Sequence, residues 1–340
     1  MSKQETAPSA SPSQSSISNL QSPISSLRRQ PFLFALLLLA IATIVNYALQ
    51  PNFFRPSIFS GNLRTYLPLM LLAAGQTIVI IGGGVDLSVG AIVSLTNVVM
   101  VVTLGDGQNP GLLLPALLLG LGAGALAGAL NGVCVSYLRF QPIVTTFATS
   151  FIFSGVALWV LPSPGGSVPE AAVTFYATNP LGIPPALWVA ALTLLLWAAL
   201  RATRYGPYLY AVGGSQMSAY VTGVPVALVR MSTYVLSGVM TACGAAALVL
   251  STGTGSPLIG GPLTLGSVVA VVLGGTRLSG GQGSVFGSLI GVVILGFIRS
   301  IISFASIPTW YQTLVDGLIV MLALAGPGLA ALAREGRVKG

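Results

Sequence analysis

Residues 75–96 read GQTIVIIGGGVDLSVGAIVSLT. An apolar run stops at Gly82-Gly83-Gly84, a single carboxylate follows at Asp86, and a second apolar run begins after Gly90. Three successive glycines permit backbone angles that other residues resist. Both flanks are apolar enough to lie in a membrane. A carboxylate there costs about 2.5–3.5 kcal/mol on insertion scales, so it normally has a partner or a role. An interrupted apolar segment carrying a lone acid points to a membrane transporter or channel more than to a soluble core.

Composition agrees along the whole chain. Of 340 residues, 54% are hydrophobic and 6% charged, and mean hydropathy is +0.90. Soluble domains carry about 25% charged residues. The fold class expected is all-α and polytopic. The net charge of +8 is scattered between apolar runs rather than gathered on a soluble face, which argues against nucleic acid as a partner. With no His, imidazole catalysis and imidazole metal sites are excluded. Cys134 and Cys243 both lie in apolar stretches and read as small buried side chains. Lys3 and Lys339 are the only lysines, so a G-x-x-x-x-G-K-[ST] phosphate loop is impossible. If ATP is used, another polypeptide binds it.

Read in order, the chain divides into a Ser/Gln/Pro-rich tail (1–30), a transmembrane domain (31–331) and a short cationic tail (332–340). About ten spans are expected, near 32–49, 65–81, 87–104, 112–136, 142–161, 186–200, 227–250, 264–275, 285–302 and 311–330. Residues 50–64 and 162–185 read as links. With both termini cytoplasmic, Arg139, Arg201, Arg204, Arg230 and Arg277 fall inside, and Arg55, Arg64 and Arg299 outside. That is a positive-inside bias. Trp159, Trp188 and Trp310 then mark the outer interface. The small-residue run GLGAGALAGALNG at 120–132 suits close helix–helix approach.

Four features are candidates for function. Gly82, Gly83, Gly84 and Asp86 form a corner near the inner side, with Asp86 expected to cap the helix that starts near Leu87. GGTRLS at 274–279 aligns with GGVDLS at 83–88. That alignment sets Arg277 opposite Asp86 and suggests that the two pair at an inner gate. In residues 205–225, Ser215 caps a short helix over Gln216–Thr222, Gly223 ends it and Pro225 blocks its continuation. Met217, Tyr220 and Val221 share one face by their spacing. That face suits either a lipid surface or a partner's groove. Finally, Arg299 and Asp316 lie in the outer parts of two spans. They are expected to pair, to meet a polar ligand or, for Arg299, to snorkel.

In order along the chain, GQTIVIIGGGVDLSVGAIVSLTN, NGVCVSYLRFQPIVTTFAT, RYGPYLYAVGGSQMSAYVTGVPV and AVVLGGTRLSGGQGSVFGSLIG resemble segments of the ribose/xylose/arabinose-type permeases of bacterial ABC importers. The resemblance runs from about residue 60 to 325. It implies a multi-pass protein of the bacterial inner membrane. It implies a second permease subunit, identical or paralogous, a cytoplasmic ATPase carrying ATP and Mg, and a periplasmic sugar-binding protein. No cofactor or catalytic residue is then expected in this chain. Residues around Gly213, Gly214, Ser215, Met217, Tyr220, Val221 and Gly223 would be the coupling helix against the ATPase.

The chain departs from the family at Gly266, where an acidic residue is common, and at Asp316, where many relatives have Lys. Those departures leave the identity of the sugar or polyol open. Asn97, Asn131, Thr145, Thr146 and Thr149 are candidates for hydrogen-bonding sugar hydroxyls, although for any single one bonding between helices is the more expected role. The rival reading is an ion-coupled secondary transporter, which needs intramembrane acids, and only Asp86 and Asp316 are available. An intramembrane enzyme lacks any nucleophile or acid–base constellation.

Overall fold

The computed structural model describes residues 31–179, 182–308 and 310–319, with Met321. The expected tails, Arg334, Arg337, Lys339 and most of the last span lie outside the described residues. Twelve α-helices are named here in chain order: α1 Pro31–Leu49, α2 Pro56–Ile81, α3 Val89–Leu104, α4 Leu113–Ser136, α5 Pro142–Val160, α6 Glu170–Ala177, α7 Pro185–Ala202, α8 Tyr205–Gly214, α9 Gln216–Val221, α10 Val226–Thr252, α11 Gly261–Leu273 and α12 Val285–Phe304. A further helical segment covers 310–319. Among the described residues the only extended pairing is an isolated bridge between Gly165 and Gly255.

Among the described residues, six helices are long and apolar enough to cross a membrane: α2, α4 with the 3₁₀ turn before it, α5, α7, α10 and α12. α3 and α11 are shorter apolar helices. At about 1.5 Å per residue neither reaches across roughly 30 Å of hydrocarbon alone. Each is joined to a longer apolar helix by a glycine turn, α3 to α2 through residues 82–88 and α11 to α12 through residues 274–284.

Two links expected from the sequence contain helix. α2 begins at Pro56, with proline in its first turn, where a missing N–H costs nothing. The loop expected at 162–185 contains α6. One role of α6 follows from Pro68, inside α2. Proline has no N–H, so it leaves the carbonyl four residues back without its helical donor. That carbonyl, on Arg64, accepts instead from the Tyr176 hydroxyl of α6 at 3.3 Å.

α2 is the buried axis. In its most apolar 18-residue window 83% of residues are buried, against 17% in α7. α10 packs on α2, α3 and α4. In lipid, helix association relies on close van der Waals fit, because tails are as apolar as side chains. The small-residue run of α4 supplies that fit. A Cβ on Gly124 would lie 2.5 Å from the Gly238 carbonyl oxygen of α10, and one on Gly128 would collide with the Tyr234 carbonyl.

The elements sort the cations by end. The C-terminal ends of α2, α7 and α11, the N-terminal ends of α10 and α12, and all of α8 and α9 share one end, with Arg139, Arg201, Arg204, Arg230 and Arg277. Arg55, Arg64 and Arg299 belong to the other end, as do Trp159, Trp188 and Trp310, all exposed.

Candidate coupling surface and outer cavity

The two glycine breaks have the same backbone. After α2, the amides of Gly82, Gly83 and Gly84 donate to the carbonyls of Ile78, Ile80 and Val79; after α11, Gly274, Gly275 and Thr276 donate to Ala270, Val272 and Val271. Gly83 and Gly275 hold φ of +79° and +84°, a region that suits glycine. This geometry corrects the sequence alignment by one residue. Gly82 matches Gly274, so Arg277 corresponds to Val85 and not to Asp86.

The expected Asp86–Arg277 pair is also absent. Arg277 is exposed while Asp86 is fully buried, and the one ion pair among the described residues joins Arg299 to Asp316. Nor does Asp86 cap a helix beginning at Leu87, because α3 starts at Val89. Its Oδ1 accepts from the Ser88 amide at 2.9 Å and the Ser88 hydroxyl at 2.6 Å. This is a side-chain turn that fixes the approach to the helix. The Ser237 hydroxyl of α10 faces Oδ2 at 3.5 Å.

Three of the residues considered for sugar binding extend this network. Asn131 Nδ2 donates to Ser88 Oγ at 2.7 Å, and Thr149 Oγ1 donates to Asn131 Oδ1 at 2.7 Å. Thr146 Oγ1 receives the Leu87 amide at 3.0 Å. They clamp the corner from α4 and α5. The other two are also engaged. Thr145 bonds the Gln141 carbonyl, and Asn97 Oδ1 accepts from the Ser256 amide at 2.8 Å, holding the link before α11. None of the five lines the outer cavity described below. Asn97, Asn131, Thr146 and Thr149 thus bond one element to another, whereas Thr145 bonds only within the first turn of its own helix.

Both breaks converge on α8. The Gly281 amide donates to the Ile81 carbonyl at 3.0 Å. A Cβ on Gly213 would strike that same carbonyl and would lie 2.7 Å from the Gly281 nitrogen. Beside it the Tyr210 hydroxyl donates to the Gly283 carbonyl at 2.7 Å. The Arg201 guanidinium lies 5.9 Å from the Tyr210 ring centroid, within cation–π range. Burial pushes the Tyr210 phenol up, and Arg201 partly offsets it.

One residue past Gly214, the chain forms α9. Ser215 Oγ accepts from the Ser218 amide at 3.3 Å, and Gly223 follows with φ of +81°. Six residues make a helix too short to persist unaided, so the cap and the flanking contacts define it. Met217, Tyr220 and Val221 are 74%, 71% and 75% exposed. Beside them a groove of about 810 Å³ is lined by Tyr137, Arg139, Met217, Tyr220 and Arg230, among others.

At the opposite end a cavity of about 780 Å³ opens between α2 and α12. Arg299 Nη2 reaches Asp316 Oδ2 at 2.8 Å beside it. The pairing of these two residues was one of the outcomes expected from their sequence positions. The cavity had no local signal, since its walls come from residues 50 to 312. Among the described residues there is no cluster of acids and cysteines able to hold a metal ion, and both cysteines are free.

Residues 58–324 match the family described as "Branched-chain amino acid transport system / permease component". Relatives carry sugar names. The chain is 34% identical to the ribose import permease protein RbsC of Bacillus subtilis, over 86% of this chain and 90% of the relative. It is 31% identical to the D-allose transport system permease protein AlsC of Escherichia coli, over 87% and 94%. It is 32% identical to the fructose import permease protein FrcC of Rhizobium meliloti, over 88% and 86%. No solved structure matches the chain. By its matched length and these relatives, the chain belongs to this permease family, among the monosaccharide ABC transporter permeases.

Proposed function

We propose that this chain is the membrane subunit of a bacterial importer for a monosaccharide or similar small polyol. It would work beside a second permease, identical or paralogous, in the inner membrane. A periplasmic binding protein would deliver the sugar, and ATP and Mg would be bound by a separate cytoplasmic ATPase. The chain itself would supply pathway walls and coupling, with about ten spans and both termini inside.

The observation that carries this reading is α9. Three large side chains stand about three-quarters exposed on a six-residue helix at the cation-rich end. An apolar helix face with nothing over it among the described residues suits a groove on a partner. The sequence supplies the complement of that argument, since without a phosphate-loop lysine the chain has no P-loop nucleotide site of its own. Movement of α9 would reach both glycine turns through Gly213, making Gly82, Gly83, Gly84 and the 280–281 turn the inner gate. A partner drives such a switch only by favouring one state over the other.

The test is co-expression with the ATPase encoded nearest this gene, followed by purification on a tag carried by the permease. Tyr220→Asp should abolish co-purification and ATP-driven sugar uptake while leaving the permease at its normal level in the membrane. Uptake that continues in proteoliposomes lacking any ATPase would instead assign the chain to ion-coupled transport.

A further inference from the structure

The cavity between α2 and α12 is built for more than passage. Its volume, about 780 Å³, falls within the roughly 300–1,000 Å³ typical of small-molecule sites. Asn62, Thr65, Ser300 and Ser303 put amide and hydroxyl groups on its walls, while Tyr66 and Leu69 add aromatic and apolar surface. Among the described residues, no side-chain hydrogen bond engages Asn62, Ser300 or Ser303. Polar groups that converge on apolar walls are the usual composition of a ligand site.

Arg299 is the charged group of this cavity, and its guanidinium is held in place. Nη2 is fixed by Asp316, whose side chain is 8% exposed. The absence of a side chain at Gly266 makes room for it, because a Cβ there would lie 3.1 Å from Nη2. Among the described residues, the buried Nε has no partner. A guanidinium carries five N–H donors in a rigid fork, so it keeps donors for a ligand after bonding Asp316. The pair is also neutral overall. An anion would gain little from a cation that is already compensated, whereas a neutral molecule with several hydroxyls can use the donors, the amides and the hydroxyls together.

We propose that this cavity is a binding site for a neutral monosaccharide within the permease itself, with Arg299 as the ligand-contacting donor and Asp316 as the residue that positions it. The proposal rests on the reading of the chain as a sugar permease, and its test separates the two. Ser303→Cys is placed in the full chain with Cys134 and Cys243 replaced by Ser, and is labelled in membranes by an impermeant thiol reagent.

D-ribose, D-allose or D-fructose is expected to slow labelling about threefold at two-thirds occupancy, and D-ribose 5-phosphate is not. Adding Arg299→Gln should leave the cysteine reactive and remove the protection. Asn62→Cys is a second reporter should the first variant fail to accumulate. The idea is overturned if no sugar slows labelling at either position, or if the phosphorylated sugar slows it equally. ATP-driven uptake by the unmodified importer, measured alongside, decides the function separately. Uptake without protection removes this site and keeps the function. Protection without uptake keeps the site and removes the function.

Discussion

The Gly281 amide donates to the Ile81 carbonyl at 3.0 Å, tying one glycine turn to the other across 200 residues of chain. Gly213 of α8 lies against the same carbonyl, with no space for a methyl group. Gly213→Ala should therefore push α8 away from both turns without disturbing α9. Uptake in proteoliposomes containing the whole importer is expected to fall at least about tenfold, the effect of roughly 1.4 kcal/mol. Binding of the ATPase should persist. Undiminished uptake would show that this contact transmits nothing.

Asp86 is expected to work through its acceptor oxygen and not through its charge. Its bonds come from the Ser88 amide and hydroxyl, and Asn131 joins through that hydroxyl. Asp86→Asn retains the Oδ1 acceptor and should keep normal thermal stability in detergent. Asp86→Leu strands buried donors, at about 1–3 kcal/mol each, and should lower the melting temperature clearly. A strong loss in the Asn variant, matching the Leu variant, would give the charge a role of its own.

How much of this was legible beforehand differed by feature. The short helix α9 was readable because capping and turn chemistry are local. Ser215, Gly223 and Pro225 each act within a few residues. The pairing of Arg299 with Asp316 was among the options because ionised groups inside a bundle need partners. The alignment of the two breaks came out one residue off. The shared letters Gly-Gly and Leu-Ser favoured one register, but hydrogen bonding follows the end of the preceding helix and favours another. The following helix starts seven residues past Gly82 and eleven past Gly274, so no ungapped match spans both turns. The outer cavity and the fastening role of Asn131 and Thr149 depend on contacts between distant helices, which a linear pattern does not encode.

The Tyr210 hydroxyl joins α8 to the second turn through Gly283. Tyr210→Phe deletes that bond and should cost about 1 kcal/mol, read as a lower unfolding temperature and weaker coupling of ATP hydrolysis to uptake. The effect has a defined pH dependence. Burial raises the phenol's pKa in the folded chain, so the contribution is complete below the unfolded value near 10 and is lost as pH rises through the folded one. The stability gap between the two proteins should stay constant from about pH 7 to 9 and narrow above about pH 10. A gap that closes already near neutrality would contradict the assignment.

The α4–α10 contact offers a test with its own control. Gly128→Leu would drive a side chain into the Tyr234 backbone, whereas nothing lies within 4 Å of a Cβ on Gly122 in the same helix. The first variant should fail to accumulate as folded protein in the membrane, since overpacking a backbone-to-backbone contact leaves no flexible atom to yield. Gly122→Leu should accumulate normally. Size-exclusion profiles of detergent extracts would distinguish them.

The buried position of α2 also sets a timetable for biosynthesis. Asp86 faces Ser237, which lies 151 residues later in the chain. At synthesis rates of about 5–20 residues per second, α2 and the carboxylate that follows it wait on the order of 8–30 s before Ser237 of α10 has been made. During that interval the most enclosed helix of the finished protein is bordered by lipid or by the insertion machinery. The interval is a natural point for quality control to act on a chain whose C-terminal half is late or truncated.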